Sequence, residues 1–216
     1  DLTEALRRRE YTIEKHTHAE IATRHGVGED TVRFYLHKYG IRRETAVTRR
    51  DHRPLLADPM QTKVLLGTTL GDGHLCPSST GRVRLELKHG SAQRGWLDFK
   101  LSRLSGLEWD GPQAVDLTKN GGFFSSRGLV RAISLSHPDL ETVHPWVYDG
   151  NGGRRIAPEI LARHGPLGVA TWFADDGTLG KRRYTLCTNR YPLADVERAI
   201  AWFREAMGWH PQIQRN

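Results

Sequence analysis

The chain has 216 residues, 38% of them hydrophobic, and a formal net charge of +7. No apolar run approaches the ~20 residues that span a bilayer and no secretory pattern opens the sequence, so neither a membrane protein nor an exported one is expected. Two cysteines without metal-ligand spacing, Cys76 and Cys187, suit packed thiols in a reducing interior, while the positive balance favours a polyanionic partner. The first residue is Asp1 rather than Met, which points to a fragment or a trimmed chain.

Residues 1–41 read as a compact all-α unit. Leu2, Leu6 and Ile13 mark a first helix, and Thr17 caps a second, with Glu20 completing a capping box ahead of Ile21 and Ala22. After a turn at Gly26-Val27-Gly28, a third helix runs from about Glu29 to Tyr39 and stops at Gly40, with Val32, Leu36 and Tyr39 on its buried face. Helix, glycine turn and second helix at this spacing resemble a helix-turn-helix, whose second helix enters the major groove of DNA. Its exposed face would carry Thr31, Arg33, Phe34, His37 and Lys38 as candidate DNA contacts. His16, His18 and His25 lie close together without a spacing that fixes a metal geometry, and read as surface histidines.

Residues 42–57 form a basic linker. Between Arg33 and Arg53 seven cations stand against two anions, Glu44 and Asp51. Arg42, Arg43, Arg49 and Arg50 suit a phosphate-contacting arm. Asp58-Pro59 then opens a helix that ends in Leu65-Leu66-Gly67-Thr68-Thr69-Leu70-Gly71-Asp72-Gly73, with Gly73 expected to supply a left-handed stop. The period next changes to two: Val83, Leu85 and Leu87 face a core, and Arg82, Arg84, Glu86 and Lys88 face away. A helix from Gln93 to Leu104 follows, apolar at Trp96, Leu97, Leu101 and Leu104. Strands near Ala114–Leu117 and Leu129–Leu135 bracket Asn120-Gly121-Gly122, and His137-Pro138 to Trp146 reads as a helix.

After Gly165-Pro166 a second run, Val169-Ala170-Thr171-Trp172-Phe173-Ala174-Asp175-Asp176-Gly177, repeats the first. Each ends in Asp-Gly, placing a carboxylate at a helix C-terminus, where the dipole disfavours it and a positive partner is needed. A divalent metal would be one. Small residues one turn apart, Gly67 and Gly71 in one run and Ala170 and Ala174 in the other, would let the two helices approach closely. A strand at Tyr184–Thr188, a helix at Leu193–Met207 and the start of a strand at Gln212–Gln214 follow.

Both nine-residue runs resemble the signature helices of the LAGLIDADG homing endonucleases, of the type that carries two copies in one chain. Trp146-Val147-Tyr148-Asp149-Gly150 through Arg154-Arg155-Ile156-Ala157-Pro158 and Trp172 to Leu179 are similar to the second half of that family. The first copy departs most, at Thr69-Leu70-Gly71, and keeps its aspartate. The resemblance implies an α+β fold of two pseudo-twofold αββαββα halves with saddle-shaped antiparallel sheets over residues 58–216, acting as a monomeric pseudo-dimer. On that plan the second half lacks a fourth strand and a closing helix, so the native protein is expected to continue past Asn216.

The implied activity is site-specific cleavage of double-stranded DNA. Asp72 and Asp176 would be the catalytic metal ligands, with Mg²⁺ as the ion on ligand type, Mn²⁺ as a substitute, and Ca²⁺ able to occupy the sites without supporting cleavage. The resemblance places His89, Arg94 and Asn189 where water-orienting residues lie, and puts Arg82, Arg84, Glu86, Lys88 and Arg183 on the DNA-facing saddle. Asp175 belongs at the helix seam. The expected location is cytoplasmic, at the nucleoid in a bacterial or phage setting, or within an organelle. Two alternatives share the fold: a helix-turn-helix/LAGLIDADG transcription regulator that does not cleave, a class that tends to lose the aspartates, and an intron RNA maturase.

Overall fold

The computed structural model describes residues 4, 9–14, 16–39, 41, 53–79, 81–115 and 128–214. The chain divides into two compact units, Asp1–Asp51 and His52–Asn216. Arg42, Arg43, Arg49 and Arg50, the stop at Gly40, and the loop at Asn120-Gly121-Gly122 lie outside the described residues, as do Leu2 and Leu6.

In the first unit a short π-helical turn, Arg9–Ile13, precedes helices α1 (His18–His25) and α2 (Glu29–Lys38). Ile13 is exposed rather than part of a core. The capping box forms as the spacing implies: Glu20 N–H donates to Thr17 Oγ1 at 3.2 Å and Thr17 N–H to Glu20 Oε2 at 2.7 Å. Gly26 ends α1 at φ 62°, a conformation that a residue with a Cβ rarely takes. Ile21, Ala22, Val32, Leu36 and Ile41 make the small core. His25 is not a plain surface histidine, since its ring reaches the buried Glu10 carboxylate at 2.8 Å.

The second unit opens on Leu55 and Leu56, which belong to its core rather than to a linker. Leu55 is fully buried, and the Asp139 carboxylate accepts both backbone N–H groups, at 2.7 and 3.1 Å. Helix α3 (Pro59–Leu70) begins where Asp58 accepts from Met60 N and Gln61 N, with proline in the first turn. Strands β1 (His74–Pro77) and β2 (Val83–Gly90), helix α4 (Arg94–Arg103), strands β3 (Trp109–Val115) and β4 (Leu129–Ser134), and helix α5 (Pro138–Val147) follow. That order is one αββαββα half. Its antiparallel sheet runs β1-β2-β4-β3. The inner face buries Leu75, Val83, Leu85, Leu87, Val130 and Ala132 against Leu97 of α4 and Leu140 and Val143 of α5. Strand β3 starts five residues before the Ala114 expected from sequence. Gly111-Pro112 reads as a breaker, but a register shift between Asp110 and Gln113 absorbs it.

The second half begins with helix α6 (Pro158–Asp176), kinked at Gly165, where φ is 66° and the helical ladder breaks ahead of Pro166. Strands β5 (Gly177–Leu179) and β6 (Tyr184–Leu186) form a hairpin, and helix α7 (Leu193–Met207) packs back through Ala199 and Phe203. Residues Gln212–Gln214 form no strand, having no neighbouring strand to pair with among the described residues. No described helix is long and apolar enough to cross a membrane.

Candidate active site

The site lies where α3 meets α6. Positions three and seven of the two motifs face each other. A Cβ built on Gly67 would fall 2.7 Å from Thr171 Cβ and 2.3 Å from the Gly168 carbonyl oxygen, and one on Gly71 would fall 2.5 Å from Asp175 Cβ. The backbones therefore touch, and only glycine fits at Gly67 and Gly71. Ala170 and Ala174 are exposed and take no part in this seam, so the small residues that matter in α6 are Gly168 and Thr171. The helix ends also differ from expectation. Neither Gly73 nor Gly177 has a positive φ. A Cβ at either would collide with a carbonyl of the preceding turn, Thr68 O at 2.7 Å or Phe173 O at 2.3 Å, so close approach rather than handedness selects glycine there.

Helix α3 stops at Leu70 and Asp72 lies just beyond it, whereas Asp176 is the last residue of α6. Their compensating charge comes first from the protein. Arg154 donates to the Thr69 and Gly73 carbonyls and the Tyr191 hydroxyl to Leu70 O, which satisfies the end of α3. Arg190 Nη2 holds Asp176 at 2.6 and 2.8 Å. Asp175 reaches into the first half, where its carboxylate is fully buried and accepts from Asp72 N (3.1 Å), Trp96 Nε1 (2.7 Å) and Lys100 Nζ (2.6 and 2.7 Å). Lys100 also meets His89 Nε2 at 3.2 Å, and His89 Nδ1 lies 3.7 Å from Asp72 Oδ2.

Among the described residues no lysine or arginine pairs with the Asp72 side chain, which is 37% exposed. Burial pushes Asp72 up to about 6, the Asp175 charge adding to the rise and Lys100 opposing it. Burial also raises Asp176, against the pull of Arg190. Burial and then the Lys100 charge push His89 down to about 4, leaving a neutral imidazole at neutral pH. Asp72, His89 and Asp175 bring ligand-type atoms within 4.8 Å of one another. Of the three, only Asp72 has oxygens uncommitted to a lysine.

Of the residues expected from sequence, His89 lies 3.7 Å from Asp72, and Asp176 is near enough for its charge to act on Asp72. Arg94 is exposed at the start of α4 and pairs with Asp98 at 2.8 Å, one turn along the helix. Asn189 lies exposed in the turn before α7, and its neighbour Arg190 makes the contact with Asp176. The reading missed Lys100, Trp96, Arg154, Arg190 and Tyr191. One signal was available, since Lys100 falls on the apolar stripe of α4 with Leu97, Leu101 and Leu104.

On the outer face of the sheet Arg84 and Lys88 are exposed. Glu86 is buried there and committed to ion pairs with Lys88 (2.8 Å) and Arg131, the latter a cation on this face that the alternation had not revealed. Arg82 turns to Glu141 of α5 at 3.7 Å. Arg183 is exposed just before β6. In the first unit Thr31, Arg33, Phe34, His37 and Lys38 are all exposed on α2, Arg33 pairing with Glu29 and Asp30.

A pair of Asp-tipped helices in backbone contact beside a polar four-stranded sheet defines the class, and residues 62–216 match the model of the LAGLIDADG DNA endonuclease family. The chain belongs to that family. The solved homing endonuclease I-WcaI, bound to its DNA recognition sequence, has the same fold, with a TM-score of 0.63, 16% identity, and coverage of 74% of this chain and 72% of that one. Protein RecA of Mycobacterium shimoidei is 30% identical over 60% of this chain and 28% of its own length. Protein RecA of Mycolicibacterium fallax is 30% identical over 72% of this chain and 38% of its own length. The chain therefore spans well under half of these relatives.

Proposed function

We propose that the chain is a site-specific DNA endonuclease dependent on a divalent metal, cutting both strands of a long duplex target as a monomer whose halves act as a pseudo-dimer. The observation that carries this reading is that Asp72 and Asp176 stand at the ends of two helices in backbone contact, near enough for the Asp176 charge to add to the rise of Asp72, within a member of a DNA endonuclease family. The donor set fits a hard cation: carboxylate oxygens, those of Asp72 paired with no lysine or arginine among the described residues. An ion held by Asp72 and Asp176, Mg²⁺ on ligand type, would neutralise the scissile phosphate and activate water. Asp72 is the residue ready to do this. Asp176 first has to give up Arg190.

That pair favours one second reading, a protein that binds DNA without cutting both strands. Incubating a randomised duplex library with the protein and Mg²⁺, then sequencing the new ends, separates the two. Recurrent paired ends support the endonuclease, while sequences that are captured but uncut support the second reading.

The raised Asp72 gives a pH dependence. An ion binding there displaces a proton once the pH drops below about 6, so affinity is expected to fall by about tenfold per unit below that point. A Ca²⁺ titration across this range checks it, and a flat affinity would remove Asp72 from the ligand set. For folding the sign is opposite in use: a carboxyl raised from 3.8 to about 6 stabilises the folded state below 3.8 and loses that contribution as pH rises through about 6.

The unit at residues 1–51 would extend the recognised site as a helix-turn-helix, with Arg42, Arg43, Arg49 and Arg50 following the phosphates. Deleting it removes those cations together with Arg33 and Lys38. Affinity is then expected to fall and the slope of log affinity against log salt to become shallower, by about one for each phosphate no longer neutralised. An unchanged footprint and slope in footprinting and salt titration would count against a DNA-binding role for this unit.

A further inference from the structure

The two motif aspartates sit in unlike surroundings, and the difference starts at the seventh motif position, which is Gly71 in one copy and Asp175 in the other. A Cβ on Gly71 would fall 2.4 Å from Asp175 Oδ2, so the bare glycine makes room for the carboxylate to cross the seam. Gly71 has no side chain to send back, and among the described residues no equivalent carboxylate reaches from the first half into the second. The Lys100 ammonium has three protons to donate, and three acceptors meet it: Asp175 Oδ1 at 2.6 Å, Asp175 Oδ2 at 2.7 Å and His89 Nε2 at 3.2 Å. An ammonium cannot accept a hydrogen bond. His89 Nε2 therefore carries no proton, and the ring hydrogen sits on Nδ1, which lies 3.7 Å from Asp72 Oδ2.

We propose that Lys100, clamped by Asp175, is a positioning residue that holds His89 as its Nδ1–H tautomer facing the Asp72 carboxylate, and so makes the strand served by Asp72 depend on a scaffold that the other strand lacks. With Nε2 occupied by Lys100, His89 presents a proton rather than a lone pair at Nδ1, 3.7 Å from Asp72 Oδ2 and beyond hydrogen-bond length, and so is not a metal ligand there. The strand consequence rests on the nuclease reading above, whereas the tautomer rests on the geometry alone. The clamp explains why a second carboxylate can sit beside Asp72 without being available to an ion: each Asp175 oxygen already accepts from Lys100, and Trp96 and the Asp72 N–H add to that.

The test uses the full chain. Imidazole ¹⁵N spectra of the protein without metal or DNA are expected to show His89 as Nδ1–H, and a wild-type signal from the Nε2–H form would overturn the proposal with no variant needed. In the double variant Lys100→Met/Asp175→Asn both buried charges go together, and the asparagine oxygen still accepts from Trp96. His89 should then lose its Nδ1–H preference. On a duplex selected from the randomised library and labelled on each strand, this variant should cut one strand about 10–100-fold more slowly and the other at the wild-type rate, so that nicked duplex accumulates. Retention of the Nδ1–H form, or equal slowing of both strands, would overturn the proposal. A wild-type protein that cuts no duplex while the tautomer responds as expected would defeat the nuclease reading and leave the positioning of His89 supported.

Discussion

Asp72→Asn is expected to lower double-strand cleavage by roughly 10³-fold or more while DNA affinity changes little. Stabilisation of the charge developing on a phosphate by a bound ion amounts to several kcal/mol, and each ~1.4 kcal/mol is a factor of ten in rate. The amide keeps the shape of the side chain, and the Asp72 backbone N–H still reaches Asp175, so the seam and the DNA-facing sheet should survive. Asp176→Asn should abolish double-strand cutting as well, with one difference. It strips Arg190 of its partner, so a small rise in affinity for any phosphate near that end accompanies the loss. Cleavage assays in Mg²⁺ run beside gel shifts in Ca²⁺ measure both quantities. Cutting of both strands at the wild-type rate by either variant would show that the catalytic carboxylates lie elsewhere.

The largest effect on stability is expected from Lys100→Met alone. Lys100 and Asp175 are both fully buried and bonded at 2.6 Å, and removing one partner leaves the other charge out of water without compensation. Such losses run to about 3–5 kcal/mol, a large part of the ~5–15 kcal/mol that holds a typical domain together. Adding Asp175→Asn should recover most of the loss, because a neutral amide in the same place no longer needs a counter-charge. Urea unfolding of the single and double variants closes the cycle. A single variant within about 1 kcal/mol of the wild type would mean that water reaches this pair.

Much of the architecture can be read in the sequence because local rules and tertiary packing agree there. Asp58-Pro59 starts α3 as a capping residue followed by proline, the alternation through Val83–Lys88 becomes β2 in the expected orientation, and His137-Pro138 opens α5. The repeated Asp-Gly pointed to the place where the site assembles. What stayed hidden depends on partners far away in the chain. Nothing local tells that Asp175 faces Gly71 or that Lys100, 75 residues before Asp175, is its counter-ion. Glu86 reads as a solvent-facing charge on β2, and only the neighbouring strand supplies the Arg131 that ties it down. Asn189 and Arg190 differ by one position, and in the turn it is Arg190 whose side chain reaches Asp176. The alanines at Ala170 and Ala174 were misleading because helix phase, not residue size, decides which face meets a neighbour.

The unequal seventh positions also determine which halves can be partners. Two copies of the first half brought together through the same seam would set Gly71 against Gly71, leaving a hole where the carboxylate belongs and two interior lysines with no anion. Two copies of the second half would force Asp175 against Asp175, a pair of carboxylates in a space that holds one. Like-with-like assembly is therefore penalised from both directions, by an empty slot in one case and by crowded charge in the other. Only the mixed pairing places one cation, one anion and one vacancy in register. The two halves are thereby committed to each other, since neither can be exchanged for a copy of its partner without losing the buried ion pair or crowding its carboxylate.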